Sequence, residues 1–128
     1  MIVGIGIDIV ELERMRAIAD KRQQSFVMRI LGTDELEDWQ QIEHQGRKVE
    51  YLAGRFAAKE ALSKAFGTGI GQVTFKEMEI VKHANGKPYV QLTGRAKAIA
   101  EENGVTDIWI TISHSRTYAV AQAILEKK

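Results

Sequence analysis

Residues 51–71, Tyr-Leu-Ala-Gly-Arg-Phe-Ala-Ala-Lys-Glu-Ala-Leu-Ser-Lys-Ala-Phe-Gly-Thr-Gly-Ile-Gly, constrain the fold more than any other stretch. Strong helix formers run to Phe66, and Gly67 is a natural stop just past the last turn. Helical spacing aligns Phe56, Glu60, Ser63, Lys64 and Gly67 on one side, so an acid, a hydroxyl and an amine lead into a glycine-rich loop. Ala53, Gly54, Ala57, Ala58 and Ala61 leave the helix thin, and other backbone can approach it closely. Read by itself, this pattern is also that of a packed helix with an exposed Glu60–Lys64 ion pair.

Residues 2–10 alternate as a strand. One face, Ile5, Ile7 and Ile9, is expected to pack; the other carries Gly4, Gly6 and Asp8 and invites close approach. Asp8 either caps the following helix or, half-buried beside glycines, needs a cation. From Glu11 the period turns helical, with Leu12, Met15, Ile18 and Ala19 on one face and Arg14, Arg16, Lys21 and Arg22 exposed. Phe26, Val27, Ile30 and Leu31 predict a short apolar helical segment ending at Gly32. Thr33 then reads as an N-cap, with Asp34 and Glu35 in the first turn of a helix that packs Leu36 and Trp39. His44 reads as a surface residue.

After the glycine loop, residues 78–82 and 87–92 read as a hairpin turned at Asn85-Gly86. A helix is expected over 94–103, closed by Gly104. Two final strands follow, one from Ile108 to Ser113 and one from Tyr118 to Leu125, with His114, Ser115 and Arg116 in their turn. The expectation is a single α+β domain over residues 1–128, with helices packed on a mostly antiparallel sheet.

The totals narrow the function classes. A net charge of +1 argues against a nucleic-acid binder held by overall charge, so any electrostatic partner must meet a local patch. With no cysteine there is no thiolate metal site or cysteine nucleophile. The N-terminal sequence lacks a signal peptide's basic start, and no apolar run reaches membrane-spanning length; a soluble, cytoplasmic protein is expected. No Walker A lysine follows the glycine loop, and neither a zinc motif nor a Ser-His-Asp arrangement is legible. Hard-cation and phosphate chemistry remains. Asp8 and Glu60 are oxygen ligands suited to Mg²⁺, Lys64 can neutralise a phosphate, and residues 67–69 can offer N–H groups to an anion. Arg47, Lys48, Arg55 and His114 are further phosphate candidates.

Five blocks, Gly4-Ile-Gly-Ile-Asp8-Ile-Val-Glu11, Arg55-Phe-Ala-Ala-Lys-Glu60-Ala-x-x-Lys64, Gly67-Thr-Gly-Ile70, Asn85-Gly-Lys-Pro88 and Ser113-His114, together resemble the holo-acyl-carrier-protein synthases, the short 4′-phosphopantetheinyl transferases. The match runs end to end and in order. It implies the transferase fold and Mg²⁺-dependent transfer of phosphopantetheine from coenzyme A to a serine of apo-acyl carrier protein, in support of fatty acid biosynthesis. Adenosine 3′,5′-bisphosphate would be released. It implies Asp8 and Glu60 on the metal, Lys64 on the pyrophosphate, and Arg47, Arg55, Lys64, Gly67 and His114 around the coenzyme. It also implies a homotrimer with sites between subunits, and it supplies an acidic carrier for Arg14, Ile18, Lys21 and Arg22 to dock. The competing expectation is a non-catalytic module that binds a nucleotide or an acidic protein.

Overall fold

The structure, a computed structural model, describes the backbone over residues 1–128 and every side chain except those of residues 19–24, so the side chains of Lys21 and Arg22, two of the expected docking residues, lie outside the described residues. The chain runs β1 (Ile2–Glu11), α1 (Leu12–Ile30), α2 (Thr33–Gln41), α3 (Gln45–Phe66), a 3₁₀ turn (Phe75–Glu77), β2 (Met78–Lys82), β3 (Pro88–Leu92), α4 (Gly94–Glu102), β4 (Asp107–His114) and β5 (Tyr118–Glu126). Its strands form two antiparallel sheets, one ordered β1-β5-β4 and the other the β2-β3 hairpin. The α+β expectation holds, with two sheets in place of one.

α3 is the spine against which the larger sheet packs. Ala53, Ala57, Ala58, Ala61 and Ala65 are buried on it, facing Ala119, Ala121, Ala123 and Leu125 of β5. At β1 the approach is backbone to backbone. A Cβ on Gly4 would collide with the carbonyl oxygen of Ala65, and one on Gly6 with that of Ala61. Two glycines on a strand opposite small residues on a helix are therefore a packing requirement, as the thin helix suggested.

The isoleucine face of β1 departs from expectation. Ile5, Ile7 and Ile9 are 58–62 % exposed, because the glycine side turns inward onto α3 and this chain supplies nothing to cover the other side. Trp109 and Tyr118, on β4 and β5, are large exposed residues as well. No helix among the described residues is long and apolar enough to cross a membrane.

Other local readings change for physical reasons. α1 continues without a break to Ile30, so the apolar segment from Phe26 is its last turns. α2 is capped at Gly32 rather than Thr33: the Glu35 carboxylate accepts the Gly32 N–H at 3.0 Å, and Glu79 Oε2 accepts those of Asp34 and Glu35 at 2.8 and 3.1 Å. His44 is the N-cap of α3, its Nδ1 accepting the Arg47 N–H at 3.2 Å.

A buried ion pair ties these layers together. Glu35 and Lys59 are both wholly excluded from solvent. Lys59 Nζ donates to Glu35 Oε1 and to the Ile30 carbonyl at 2.7 Å, where it also meets the negative end of α1. Glu35 Oε2 accepts the Ile80 N–H of β2 at 3.0 Å. Burial draws the Lys59 ammonium below its ordinary pKa, opposed by the attraction of Glu35. Removing one partner strands the other's charge in the interior. Lys59→Met should therefore cost about 3–5 kcal/mol of unfolding free energy in a urea titration, and adding Glu35→Gln should recover part of it. Equal stability of the single and double variants would show that the loss does not come from a stranded carboxylate.

Candidate active site

Asp8 sits inside β1, opposite Ala121 of β5, and does not cap α1, whose N-cap is Glu11. Close contact between β1 and α3 brings it against the last turns of the helix. Lys64 Nζ lies 3.0 Å from Asp8 Oδ1 and donates to the Ile7 carbonyl at 2.9 Å. The ion pair expected between Glu60 and Lys64 is replaced by this cross-element pair, because the strand carboxylate is held where the lysine can reach it. Glu60, one turn earlier, is half-buried. Burial and then the neighbouring Asp8 charge push its carboxyl above the usual range, with Lys64 drawing it partly back. Asp8 and Glu60 line one cavity of about 290 Å³ with Arg14, Ile18, Phe56 and Tyr118.

A second cavity, about 480 Å³, lies elsewhere on α3 and collects Arg47, Glu50, Tyr51, Arg55, Lys82, Ile112 and His114. His114 Nδ1 is 3.1 Å from Glu50 Oε2. The Arg55 guanidinium lies over the Tyr51 ring at 4.2 Å, and its Nε is 3.9 Å from Glu35 Oε2. Arg55 is 7 % exposed, and its buried Nε and Nη2 have no hydrogen-bond partner. Unpaired buried donors of this kind call for a partner, an ordered water or an anion. Lys82, at the end of β2, belongs to this cavity too; sequence reading missed it because nothing but its place before the hairpin marks it out.

The two clusters do not meet within one chain. At 100° per residue, Arg55 points about 140° away from Glu60 and about 180° away from Lys64 around the α3 axis. Arg47 lies about 20 Å along that axis from Glu60.

Two expected phosphate contacts are otherwise engaged. Lys48 Nζ bonds the Trp39 carbonyl at 2.9 Å and sits 3.9 Å over the Trp39 ring, so it is used in joining α2 to α3. Gly67, at φ 79°, ends α3: its N–H donates to the Lys64 carbonyl, and those of Thr68 and Gly69 donate to the Ser63 carbonyl. The loop's amides are thus spent on closing the helix, and the reading of residues 67–69 as an N–H cradle for an anion is corrected.

Comparison with known proteins shows the family. Residues 4–123 match the model of the 4′-phosphopantetheinyl transferase superfamily. The chain is 47 % identical over 128 residues to the holo-[acyl-carrier-protein] synthase of Bacillus subtilis, covering 99 % of this chain and 98 % of that one. Among solved structures it is similar to the holo-[acyl-carrier-protein] synthase of Neisseria meningitidis, at 40 % identity and a TM-score of 0.90 over 99 % of this chain and 100 % of the other. It is also similar to that of Bacillus anthracis in complex with CoA (3′,5′-ADP), at 42 % identity and a TM-score of 0.83 over 100 % and 99 %. The fold and this end-to-end likeness agree: the chain belongs to the 4′-phosphopantetheinyl transferase superfamily, among its holo-[acyl-carrier-protein] synthases.

Proposed function

We propose that the chain moves the 4′-phosphopantetheine arm of coenzyme A onto a serine of apo-acyl carrier protein, with Asp8, Glu60 and Lys64 at the reacting phosphate. One observation carries the assignment: two carboxylates share a cavity, and a lysine is fixed on one of them. A binding-only module is set aside, since the relatives are synthases by name.

The serine oxygen forms a bond to the phosphorus bearing the pantetheine arm. The bond from that phosphorus to the bridging oxygen breaks, and adenosine 3′,5′-bisphosphate leaves with the electron pair. The serine proton passes to a base, for which Glu60, directly or through water, is the candidate. Lys64 is placed to neutralise charge gathering on the pyrophosphate as the bond breaks.

No group of three or more metal-ligating side chains occurs among the described residues, so an all-protein metal cage is not the arrangement to expect. The donor set does suit Mg²⁺, which takes one or two carboxylates and completes its shell with substrate phosphates and water. Asp8 and Glu60 would hold the ion, which would relieve the repulsion that raises Glu60. When bound, it would polarise the phosphoryl oxygens and steady the leaving group.

The anion cavity with Arg47, Arg55, Lys82 and His114 would take the coenzyme's remaining phosphates. Because it lies on another face of α3, one ligand spans both clusters only if the site is shared between copies. The exposed Ile5, Ile7, Ile9, Trp109 and Tyr118 are a surface for that contact, and a homotrimer is the assembly we infer. Arg14 and Ile18 line the Asp8–Glu60 cavity, which supports α1 as the surface that meets an acidic carrier. Work in the cytoplasm, supplying fatty acid biosynthesis, completes the proposal.

Asp8→Asn and Glu60→Gln should each lower the rate of carrier modification, read by mass spectrometry with coenzyme A and Mg²⁺, by at least about a hundredfold. Thermal unfolding should stay near that of the unmodified chain. Transfer within a few-fold of wild type would remove that residue from the reacting centre. Light scattering should give three chains per particle, and Ile7→Glu should break the particle and abolish transfer; a fully active monomer would end the shared-site reading. Arg14→Glu should raise the KM for carrier by a few-fold and flatten its salt dependence without changing the KM for coenzyme A. A change confined to the coenzyme would move α1 from the docking surface to the nucleotide site.

A further inference from the structure

Arg55 is held in an uncommon way. Its guanidinium is buried, its Nε and Nη2 lack partners, and the nearest carboxylate, Glu35, stands at 3.9 Å, beyond hydrogen-bond range. Lys59 and the Gly32 and Ile80 N–H groups already occupy both oxygens of that carboxylate. Glu35 therefore supplies charge to Arg55 without using up its donors. The group that fixes the plane of the guanidinium is Tyr51, one helical turn earlier on α3, whose ring lies 4.2 Å beneath it. The Tyr51 hydroxyl donates to the Glu35 main-chain carbonyl at 3.3 Å, which holds the ring in place. Burial raises the Tyr51 pKa, which keeps the phenol neutral and the ring a passive platform.

We propose that Tyr51 is a positioning residue for the coenzyme's phosphates: the face of its ring fixes the plane of the Arg55 guanidinium where Arg55 lines the cavity, and Glu35 balances its charge. The inference rests on the reading of that cavity as the coenzyme's phosphate site. Arginine matters here for its planar fork, and a fork free to rotate would lose much of its advantage over lysine.

The test is steady-state kinetics on the full protein with coenzyme A and apo-carrier, each varied in turn. Arg55→Ala should raise the KM for coenzyme A. If it does not, the phosphate-site reading itself fails. Given that effect, Tyr51→Leu should raise the KM for coenzyme A by roughly three- to thirty-fold and leave the KM for carrier alone. Tyr51→Phe keeps the ring and should return the KM for coenzyme A to within about two-fold of the parent. A loss of folded protein lowers the maximal rate but neither KM, so a merely structural role would leave the coenzyme KM unmoved. An unchanged coenzyme KM in Tyr51→Leu, or a rise in Tyr51→Phe as large as in Tyr51→Leu, would overturn the proposal.

Discussion

A carboxylate shut away from water organises the middle of this molecule. Isolated, an ionised Glu35 would be very costly to bury. It is tolerated because four groups from three segments converge on it: the Gly32 amide in the turn before α2, the Ile80 amide from β2 and, from α3, the Lys59 ammonium and, more distantly, Arg55. Lys59 also takes the last turn of α1 through the Ile30 carbonyl. The pair adds little net stability over an apolar equivalent, but a misplaced α2 or β2 would leave it unsatisfied. Its value lies in fixing one arrangement, and Arg55 inherits its place from that arrangement.

The chemistry is spread around one helix. α3 presents Glu60 and Lys64 on one side and Arg47 and Arg55 on others, while β1 supplies Asp8 and β4 supplies His114. Each cavity is a junction between the helix and several of its neighbours, β1, α1 and β5 at one and β2 and β4 at the other. A rigid spine with chemistry on more than one face suits a ligand such as coenzyme A, whose reacting phosphate and terminal phosphate are well separated. It also explains how such a small chain can handle so long a substrate, provided that copies of it share the work.

Much of this was legible in the sequence, because glycine and alanine patterns speak directly about backbone spacing. The alternation of Gly4, Gly6 and Asp8 with isoleucines placed β1 and marked its close-approach face, and the run to Gly67 placed the end of α3. What could not be read was the choice among partners of like chemistry. Lys64 had both Glu60 and Asp8 to choose from, and only the tertiary approach decided for Asp8. Glu35 looked like an ordinary first-turn acid, and nothing local announced that a lysine 24 residues on would bury beside it. The isoleucine stripe was read as core because periodicity reports a face's polarity, not what covers it.

The contact between Gly4, Gly6 and the carbonyls of Ala61 and Ala65 has one more consequence. Main chain touches main chain there, so the gap between the strand bearing Asp8 and the helix bearing Glu60 and Lys64 does not depend on the size or rotamer of any intervening side chain. A change of side chain elsewhere in the interior therefore leaves the spacing between Asp8 and the pair Glu60 and Lys64 to the backbone alone. The enzyme's most exacting dimension has been moved out of the part of a protein that drifts.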